Sequence, residues 1–427
     1  MTKNERKRLC GFYENELINR FLAYWLPRCE DKTYGGFVNC FTNDGSTLVS
    51  TDKYCWSQGR FVWMFAKLAL LKAPIFSDAE RAEFLRLAEQ GAAFLQTHAL
   101  LPGEEMRCAF LLNADGSKKL AAGCDRLDAS IYADCFVAVG MAEYAEASGK
   151  RDAYDFAKAL YRSIVSRVGS GDFYTLPYPL DKRFRAHGVP MILENVAAEL
   201  HAAAKKFDPA YCEELKKDLF GFTEDVLSTF ADEEDRIREV VYADGTKLDR
   251  RLGRHINPGH TIEDVWFMLD SMAITGRDAR KAQVYRVAKA ALEAGWDETY
   301  GGILHFAGLN GGAPDGDNEG LEDEPMSKQL AGWDNKLWWV HSEALYTTLR
   351  CWIETGDRAF WDWHERVFDY TYRTFPNPDP NVREWMQIRD RVGAPMNEVV
   401  ALPVKDPYHV VRNLALIIEL LWEKENG

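Results

Sequence analysis

Residues 257–306, NPGHTIEDVWFMLDSMAITGRDARKAQVYRVAKAALEAGWDETYGGILHF, contain the structural unit from which much of the chain is built. Apolar residues recur at helical spacing over 264–274, and the Thr275-Gly276-Arg277 break then ends the helix. A second amphipathic helix is predicted over 278–295. The Gly301-Gly302 pair that follows it indicates a tight hairpin. The unit is therefore a helix, a short glycine turn, a second helix and a hairpin.

The same unit recurs along the chain. The turns Ser148-Gly149-Lys150 and Thr355-Gly356-Asp357 have the form of the turn at 275–277, and the stretch DKTYGGFVN (31–39) resembles DETYGGILH (297–305). Internal repeats of this kind indicate a repetitive architecture. Further helices are predicted at 5–27, 54–71, 78–98, 130–147, 152–167, 188–206, 209–230, 336–354, 358–375 and 406–425.

Paired helices joined by short turns fit either an open solenoid or a closed barrel with inner and outer rings of six helices. An open solenoid requires a regular repeat length and polar capping repeats. Here the repeat length varies, and the intervening hairpins are long and rich in Trp, Tyr and Gly. We therefore expect a closed all-α (α/α)6 barrel, formed by 1–427 as a single domain. The glycine-rich stretch 309–332 is interpreted as a surface or lid insertion rather than a domain boundary.

The composition limits the classes of ligand. A formal net charge of −14 argues against nucleic acid, because phosphate backbones require clustered Lys and Arg. The 13 Trp could stack on sugar rings, although Trp also fills helix contacts. Nine scattered Cys without CxxC spacing indicate reduced thiols rather than a disulfide or zinc site. Neither a signal segment nor a membrane span is recognisable, so we expect a cytoplasmic protein that does not bind a membrane.

Three His lie where a loop leads into an apolar helix: His260, His341 and His409. His260 shares a helix face with Glu263, three residues on. The zinc-binding pattern HExxH is absent, so no metal is predicted. Paired imidazoles suit general acid–base catalysis, because His titrates near neutral pH. Two imidazoles on opposite faces of a planar carbanion could invert a carbon next to a carbonyl. Arg60 could stabilise the enolate oxygen, or it could form a structural ion pair.

Four stretches together resemble the N-acylglucosamine 2-epimerase family, to which cellobiose 2-epimerases and mannose isomerases are related. They are WSQGRFVWMFAKL (56–68), NPGHTIEDVWFML (257–269), KLWWVHSEALY (336–346) and PYHVVR (407–412). The resemblance implies an (α/α)6 barrel, a homodimer and no cofactor. It implies that His260 and His409 are the acid–base pair and that Arg60 binds near the reacting oxygens. The remaining substrate-binding positions that it implies are Glu263, Trp266, His341, Tyr54 and Asn195.

The resulting hypothesis is a sugar 2-epimerase that interconverts N-acetylglucosamine and N-acetylmannosamine, or a related aldose, by proton transfer at C2. The alternatives are an aldose–ketose isomerase of the mannose isomerase type and a cellobiose 2-epimerase. The loop 389–405, RDRVGAPMNEVVALPVK, is expected to shape the choice of sugar. Two other classes of protein were considered: a glycoside hydrolase using Glu263 and Glu343 as its paired carboxylates, and a non-catalytic binding protein.

Overall fold

The computed structural model describes residues 2–103 and 105–426, and most of them are helical. The helices, numbered in chain order, are α1 (Lys3–Glu16), α2 (Ala23–Trp25), α3 (Cys55–Leu70), α4 (Asp78–His98), α5 (Ile131–Ser148), α6 (Arg151–Ser170), α7 (Gly188–Phe207), α8 (Cys212–Asp225), α9 (Pro258–Thr275), α10 (Lys281–Gly295), α11 (Pro325–Gln329), α12 (Trp338–Thr355), α13 (Arg358–Thr374) and α14 (Tyr408–Asn426). Most predicted boundaries agree within a few residues, and the prediction for α4 agrees at both ends. The helix predicted at 264–274 instead begins at Pro258.

Six of these helices form a closed inner ring. Helix α3 packs on α5, and contacts then continue through α7, α9, α12 and α14 back to α3. The outer helices α4, α6, α8, α10 and α13 each pack on the inner helix that precedes them, and α1 packs on α14. Inner helices are buried on nearly all sides, which explains why apolar residues are spread around them rather than confined to one face. The predicted (α/α)6 barrel is confirmed.

The three glycine turns end inner helices, as the sequence predicts. Gly149, Gly276 and Gly356 follow the last residues of α5, α9 and α12, with φ angles of 72°, 69° and 69°. In each case the glycine N–H donates to a carbonyl in the last turn of the helix. This left-handed conformation favours glycine, and it directs the chain outward into the next helix.

Short antiparallel strands lie between the helix pairs. They are β1 (Cys40–Phe41), β2 (Leu48–Ser50), β3 (Lys53–Tyr54), β4 (Leu111–Leu112), β5 (Lys118–Lys119), β6 (Phe184–Ala186), β7 (Val240–Tyr242), β8 (His255–Ile256), β9 (Ala307–Gly308), β10 (Lys336–Leu337) and β11 (Ile388–Arg389). The pairs are β1–β2, β3–β4–β5, β6–β7, β8–β9 and β10–β11. Strands β3, β6, β8 and β10 lead directly into the inner helices α3, α7, α9 and α12. The N-termini of these inner helices are thus framed by hairpins.

Two buried lysines explain the similarity between the stretches 31–39 and 297–305. The Nζ atom of Lys53 donates to Asp31 Oδ2 and to the carbonyl of Gly35, each at 2.7 Å. Lys336 Nζ donates to Asp297 Oδ2 at 3.2 Å and to the equivalent glycine carbonyl. Both lysines lie just before an inner helix. The repeated Asp and Gly-Gly residues therefore fix two hairpins to the barrel.

One expectation about a chain segment needs correction, because the first helix, predicted to be continuous over 5–27, has a π-helical segment at Leu17–Leu22 between α1 and α2. The stretch 309–332, interpreted as a surface or lid insertion, is partly packed into the protein, since Leu321, Met326 and Leu330 are buried in one cluster with Phe184. Within the described residues, no helix combines the length and the apolar character required to cross a membrane.

Candidate active site

A pocket of about 980 Å³ lies at the N-terminal ends of the inner helices. All six inner helices contribute to its wall, and the loop before α14 covers one side. The lining residues are Trp56, Arg60, Tyr132, Phe136, Tyr178, Gly188, Met191, Ile192, His260, Glu263, Leu337, Trp338, Trp339, Ile388, Val400, Ala401, Leu402, Val404, Asp406 and His409. The pocket therefore brings together four of the predicted residues: Arg60, His260, Glu263 and His409.

His260 lies in the first turn of α9 and is oriented by a carboxylate. Asn257 caps the helix and accepts the backbone N–H of His260 at 3.2 Å. The Nδ1 atom of His260 lies 3.0 Å from Glu239 Oε1. Burial would raise the pKa of Glu239, but the nearby charges of His260 and His187 lower it well below its ordinary value. An ionised carboxylate only accepts, so Nδ1 carries the proton and Nε2 is free to act in the pocket.

Glu239 also faces a second, fully buried imidazole. His187 Nδ1 lies 3.6 Å from Glu239 Oε2, and His187 Nε2 lies 2.8 Å from Asp264 Oδ2. Burial disfavours the charged imidazole, but the hydrogen bond to Asp264 and the charges of Asp264 and Glu239 outweigh it and raise the pKa of His187 to about 9. His187 is therefore a buried cation at neutral pH.

His409 is oriented in the same way in the first turn of α14. Its Nδ1 atom lies 2.7 Å from Glu343 Oε1, and its Nε2 atom lies 3.2 Å from Arg60 Nη2. Burial would raise the pKa of Glu343, but Arg412 and His409 lower it to about 2. Arg60 can only donate, so in this contact Nε2 of His409 accepts.

Arg412 links the two glutamates on the His409 side of the pocket. Its Nη2 atom donates to Glu343 Oε1 at 2.6 Å and also to Glu263 Oε1. Both carboxylates therefore accept from one guanidinium nitrogen and lie on the same side of the pocket. The paired carboxylates of a glycosidase flank the bond that is cleaved, so this geometry does not fit the hydrolase alternative.

Arg60 forms an ion pair and also faces the pocket. Its Nη1 atom donates to Asp406 Oδ2 at 2.5 Å, and its guanidinium carbon lies 4.0 Å from the ring centroid of Phe136. Its Nη2 atom lies 3.2 Å from Nε2 of His409. The guanidinium is therefore held in place beside one of the two pocket imidazoles.

Trp339 contacts both pocket imidazoles. The centroid of its ring lies 5.6 Å from that of His260 and 5.3 Å from that of His409, with interplanar angles of 39° and 38°. A flat aromatic face beside two acid–base groups could support a sugar ring between them. Trp339 lies within KLWWVHSEALY, the stretch in which His341 was predicted to bind substrate.

The structure places His341 outside the pocket, contrary to its predicted role in the pocket wall. Its Nε2 atom accepts the backbone N–H of Ile303 at 2.9 Å, and its Nδ1–H donates to the carbonyl of Leu337 at 2.7 Å. Burial lowers the pKa of His341 to about 3. Residues two apart in a helix point in nearly opposite directions, so His341 faces away when Trp339 faces the pocket.

Trp266, Tyr54 and Asn195 do not line the pocket either. Trp266 lies behind it and donates its indole N–H to Glu343 at 3.0 Å, so it supports Glu343. Tyr54 precedes α3 and packs against Phe110, with ring centroids 5.4 Å apart. Asn195 is buried on α7, one turn beyond the pocket-lining residues of that helix.

Three residues at the site were not predicted from the sequence: Glu239, His187 and Arg412. The pairing of Glu343 with His409 was not predicted either. Glu239 immediately precedes β7 and His187 follows β6, and no local spacing connects either residue with α9. His409 and Arg412 are three residues apart in PYHVVR, so they share a helix face. That spacing was the one available signal for Arg412.

Two groups of residues have the geometry of cation ligands: His187, Glu239 and His260, and separately Glu263, Glu343 and His409. In the second group, the guanidinium of Arg412 already supplies the positive charge. In the first group, charged His187 supplies it and the Nδ1 atom of His260 is used by Glu239. We therefore assign metal ligands in neither group.

Two carboxylate-bound imidazoles and an arginine in one pocket at the mouth of an (α/α)6 barrel are groups suited to acid–base chemistry. The family model for N-acylglucosamine 2-epimerase (GlcNAc 2-epimerase) matches residues 35–413. The chain belongs to this family, whose members are carbohydrate epimerases and isomerases.

Individual relatives agree with this assignment. The N-acylglucosamine 2-epimerase of Bos taurus is 30% identical over 410 residues, which cover 95% of this chain and 89% of the relative. The structure of cellobiose 2-epimerase from Bacillus thermoamylovorans is similar with a TM-score of 0.77 at 18% identity, and the match covers 97% and 100% of the two chains. The structure of a D-mannose isomerase has a TM-score of 0.73 at 16% identity, covering 97% and 98%.

Proposed function

We propose that the protein interconverts N-acetylglucosamine and N-acetylmannosamine by moving a proton at C2 between the sugar and two imidazoles, His260 and His409. The observation that supports this most directly is the parallel arrangement of the two residues. Each lies in the first turn of an inner helix, each is bound at Nδ1 by a buried ionised glutamate, and each contacts Trp339. Two oriented bases around one aromatic surface are what inversion of a carbon acid requires.

The proposed reaction begins with opening of the pyranose ring, which exposes the C1 aldehyde and acidifies the C2–H bond. Nε2 of one imidazole removes the C2 proton, and the electron pair of the C–H bond forms the C1–C2 double bond as negative charge moves onto the C1 oxygen. The intermediate is an enolate that carries the acetamido group at C2. Nε2 of the other imidazole then donates a proton to the opposite face of C2. The two glutamates stabilise each imidazolium as it forms, because their charge lies next to Nδ1.

Arg60 is proposed to stabilise the enolate oxygen. It lines the pocket, and its Nη2 atom lies 3.2 Å from Nε2 of His409. Asp406 and the ring of Phe136 hold the guanidinium in place, so little reorganisation is needed as negative charge develops. Glu263 lines the same side of the pocket and is proposed to accept hydrogen bonds from sugar hydroxyls.

The wall formed by the loop before α14 supports an N-acylated sugar. Apart from Asp406, which is paired with Arg60, the side chains that it presents to the pocket are aliphatic: Ile388, Val400, Ala401, Leu402 and Val404. An acyl methyl group would bury apolar surface there, whereas the hydroxyl groups of a second sugar ring would lose water without gaining partners. The Bos taurus relative named above carries the N-acylglucosamine name.

The test is to incubate the protein in D₂O with N-acetylglucosamine, N-acetylmannosamine, glucose, mannose or cellobiose and to follow C2 by NMR. We expect deuterium at C2 and formation of the 2-epimer with the two N-acetylated sugars. A ketose formed from glucose or mannose, whose C2 bears a hydroxyl group, would show that their enediolate is protonated at C1, as in an aldose–ketose isomerase. Absence of deuterium exchange with every sugar would refute the proposed function.

Replacing Arg60 by Lys should lower kcat about 10²-fold. Lysine keeps the positive charge but lacks the planar guanidinium, whose several N–H groups can donate to the enolate oxygen. Steady-state kinetics with N-acetylmannosamine would measure the effect. Arg167→Lys is the matched control, because Arg167 also pairs with a buried carboxylate, Asp134 Oδ1, at 3.0 Å, but does not line the pocket. An equal loss of kcat in both variants would contradict the role given to Arg60.

We further propose a cytoplasmic homodimer that requires no cofactor. The family resemblance supports the dimer, and the reduced thiols expected from the scattered cysteines support the compartment. Light scattering of the purified protein would measure the oligomeric state.

A further inference from the structure

The two glutamates that orient the pocket imidazoles are each accompanied by a buried cation, but the cations differ. Arg412 Nη2 lies 2.6 Å from Glu343, which binds His409. His187 Nδ1 lies 3.6 Å from Glu239, which binds His260. A guanidinium remains charged throughout the physiological pH range, whereas an imidazolium can lose its proton. One base therefore has a permanent counter-charge behind it, and the other has a titratable one.

The surroundings of His187 determine its charge. Asp264 of α9 hydrogen-bonds its Nε2 atom at 2.8 Å, Glu239 faces its Nδ1 atom, and the ring of His260 lies 6.4 Å away between centroids. Glu194 lies on the same helix as His187. Burial, together with the charge of Asp264, raises the pKa of Glu194 well above its ordinary value, which disfavours its ionised form.

Other titratable groups near His187 do not carry charge at neutral pH. Burial raises the pKa of Tyr132, whose hydroxyl lies near Gly188. Burial lowers the pKa of His255 to about 4, and its backbone carbonyl accepts the N–H of Glu239 at 3.2 Å. The ring of His187 also packs against Phe230, with centroids 5.8 Å apart. Asp264 and Glu239 are therefore the two charges that determine whether His187 is protonated.

We propose that His187 is a positioning residue for C2 proton transfer: its buried positive charge offsets Glu239, so that His260 can release its proton within the working pH range. The proposal rests on the proposed function, because it assumes that His260 exchanges protons with the sugar. Without the charge of His187, the full negative charge of Glu239 would act on His260. The imidazolium of His260 would then be stabilised, and it would keep its proton to higher pH.

The sign of this effect leads to a direction-specific prediction. Where His260 is the base, it must be neutral, so loss of the His187 charge moves the acidic limb of the pH profile upward. Where His260 is the acid, in the reverse reaction, the basic limb moves upward instead. A shift of about one pH unit is expected from removing one charge at this distance. A general loss of structure would lower the rate at all pH values without moving either limb.

The experiment compares His187→Gln, which removes the charge, with His187→Lys, which keeps it. The pH dependence of kcat/KM is measured in both directions. His255→Gln is the matched control, because it removes a buried imidazole next to Glu239 that is already neutral. We expect the shift in His187→Gln only, with limbs near those of the wild type in His187→Lys. Unmoved limbs in His187→Gln, or equal shifts in all three variants, would overturn the proposal.

A second measurement needs neither a sugar nor a variant. In ¹⁵N-histidine-labelled wild-type protein, NMR distinguishes an imidazolium from a neutral ring. We expect both ring nitrogens of His187 to be protonated at pH 7 and His187 to lose its proton near pH 9. A neutral His187 at pH 7 would overturn the proposal even if epimerisation is confirmed. If no sugar reacts but His187 is charged, the proposed function is refuted and the role of His187 in proton transfer falls with it. The buried positive charge next to Glu239 would still be established.

Discussion

Replacing His409 by Asn is expected to abolish epimerisation at C2, with a loss of kcat of about 10³-fold. Asparagine can still hydrogen-bond Glu343, so the packing should survive, but it cannot carry a proton between the sugar and the enzyme. His260→Asn should have an effect of similar size. Conversion of each N-acetylated epimer, followed by NMR, measures both losses.

The two variants should also differ from each other in a way that a structural defect would not produce. If each imidazole serves one face of C2, His409→Asn should still exchange the C2 hydrogen of one epimer with D₂O, without inversion. His260→Asn should exchange that of the other epimer only. The control is His364→Asn, because His364 is a buried histidine bonded to Tyr13 at 3.2 Å, and its replacement should leave kcat unchanged. Exchange of both epimers by either variant would contradict a mechanism with one base per face.

Gly59→Ala is expected to lower the free energy of unfolding by about 3 kcal/mol, the upper end of the usual cost of overpacking. A Cβ atom at Gly59 would lie 2.2 Å from the carbonyl oxygen of Phe136, and a Cβ at Gly140 would lie 2.3 Å from the carbonyl oxygen of Gly59. Helices α3 and α5 therefore meet backbone to backbone, where no flexible side chain can yield. Urea denaturation followed by circular dichroism would measure the change in the free energy of unfolding.

Gly221→Ala is the matched control for this prediction. Gly221 is an exposed glycine inside α8, and a Cβ atom there meets no atom within 4 Å. Alanine has the higher helix propensity, so stability should rise by up to about 1 kcal/mol. Similar unfolding free energies for Gly59→Ala and the wild type would show that α3 and α5 can separate without cost. Arg60 follows Gly59 directly, so loss of this contact would also displace the guanidinium from the pocket.

The sequence predicted the fold well because its signals are local and repeated. Helical periodicity gave the helix pairs, and Gly149, Gly276 and Gly356 gave the points at which inner helices end. Closure into a ring, rather than an open solenoid, followed from irregular repeat lengths and the family resemblance. The π-helical segment after α1 had no such signal, because its residues are ordinary helix formers.

The site was predicted less completely, for a physical reason. His260 and His409 could be found because both lie in the first turn of an inner helix, where a loop exposes side chains at the barrel mouth. Glu239 could not be found, since it lies 21 residues before His260 in the chain, just ahead of strand β7, and only the fold brings the two together. His341 was assigned to the pocket from its motif, but the helical period places Trp339 there instead. The acid–base roles themselves stay predictions until the variants are measured.

The contact of α14 with both α3 and α12 has a consequence for biosynthesis. On the ribosome, the first five inner helices emerge as an incomplete ring whose open edge exposes apolar side chains. The helix that fills the gap is also the one that carries His409 and Arg412. A nascent chain can therefore acquire the second of the two proposed bases only when that edge is covered. Before α14 packs, the pocket is incomplete and the apolar edge is open to aggregation. Chaperone binding would protect the chain most during that interval.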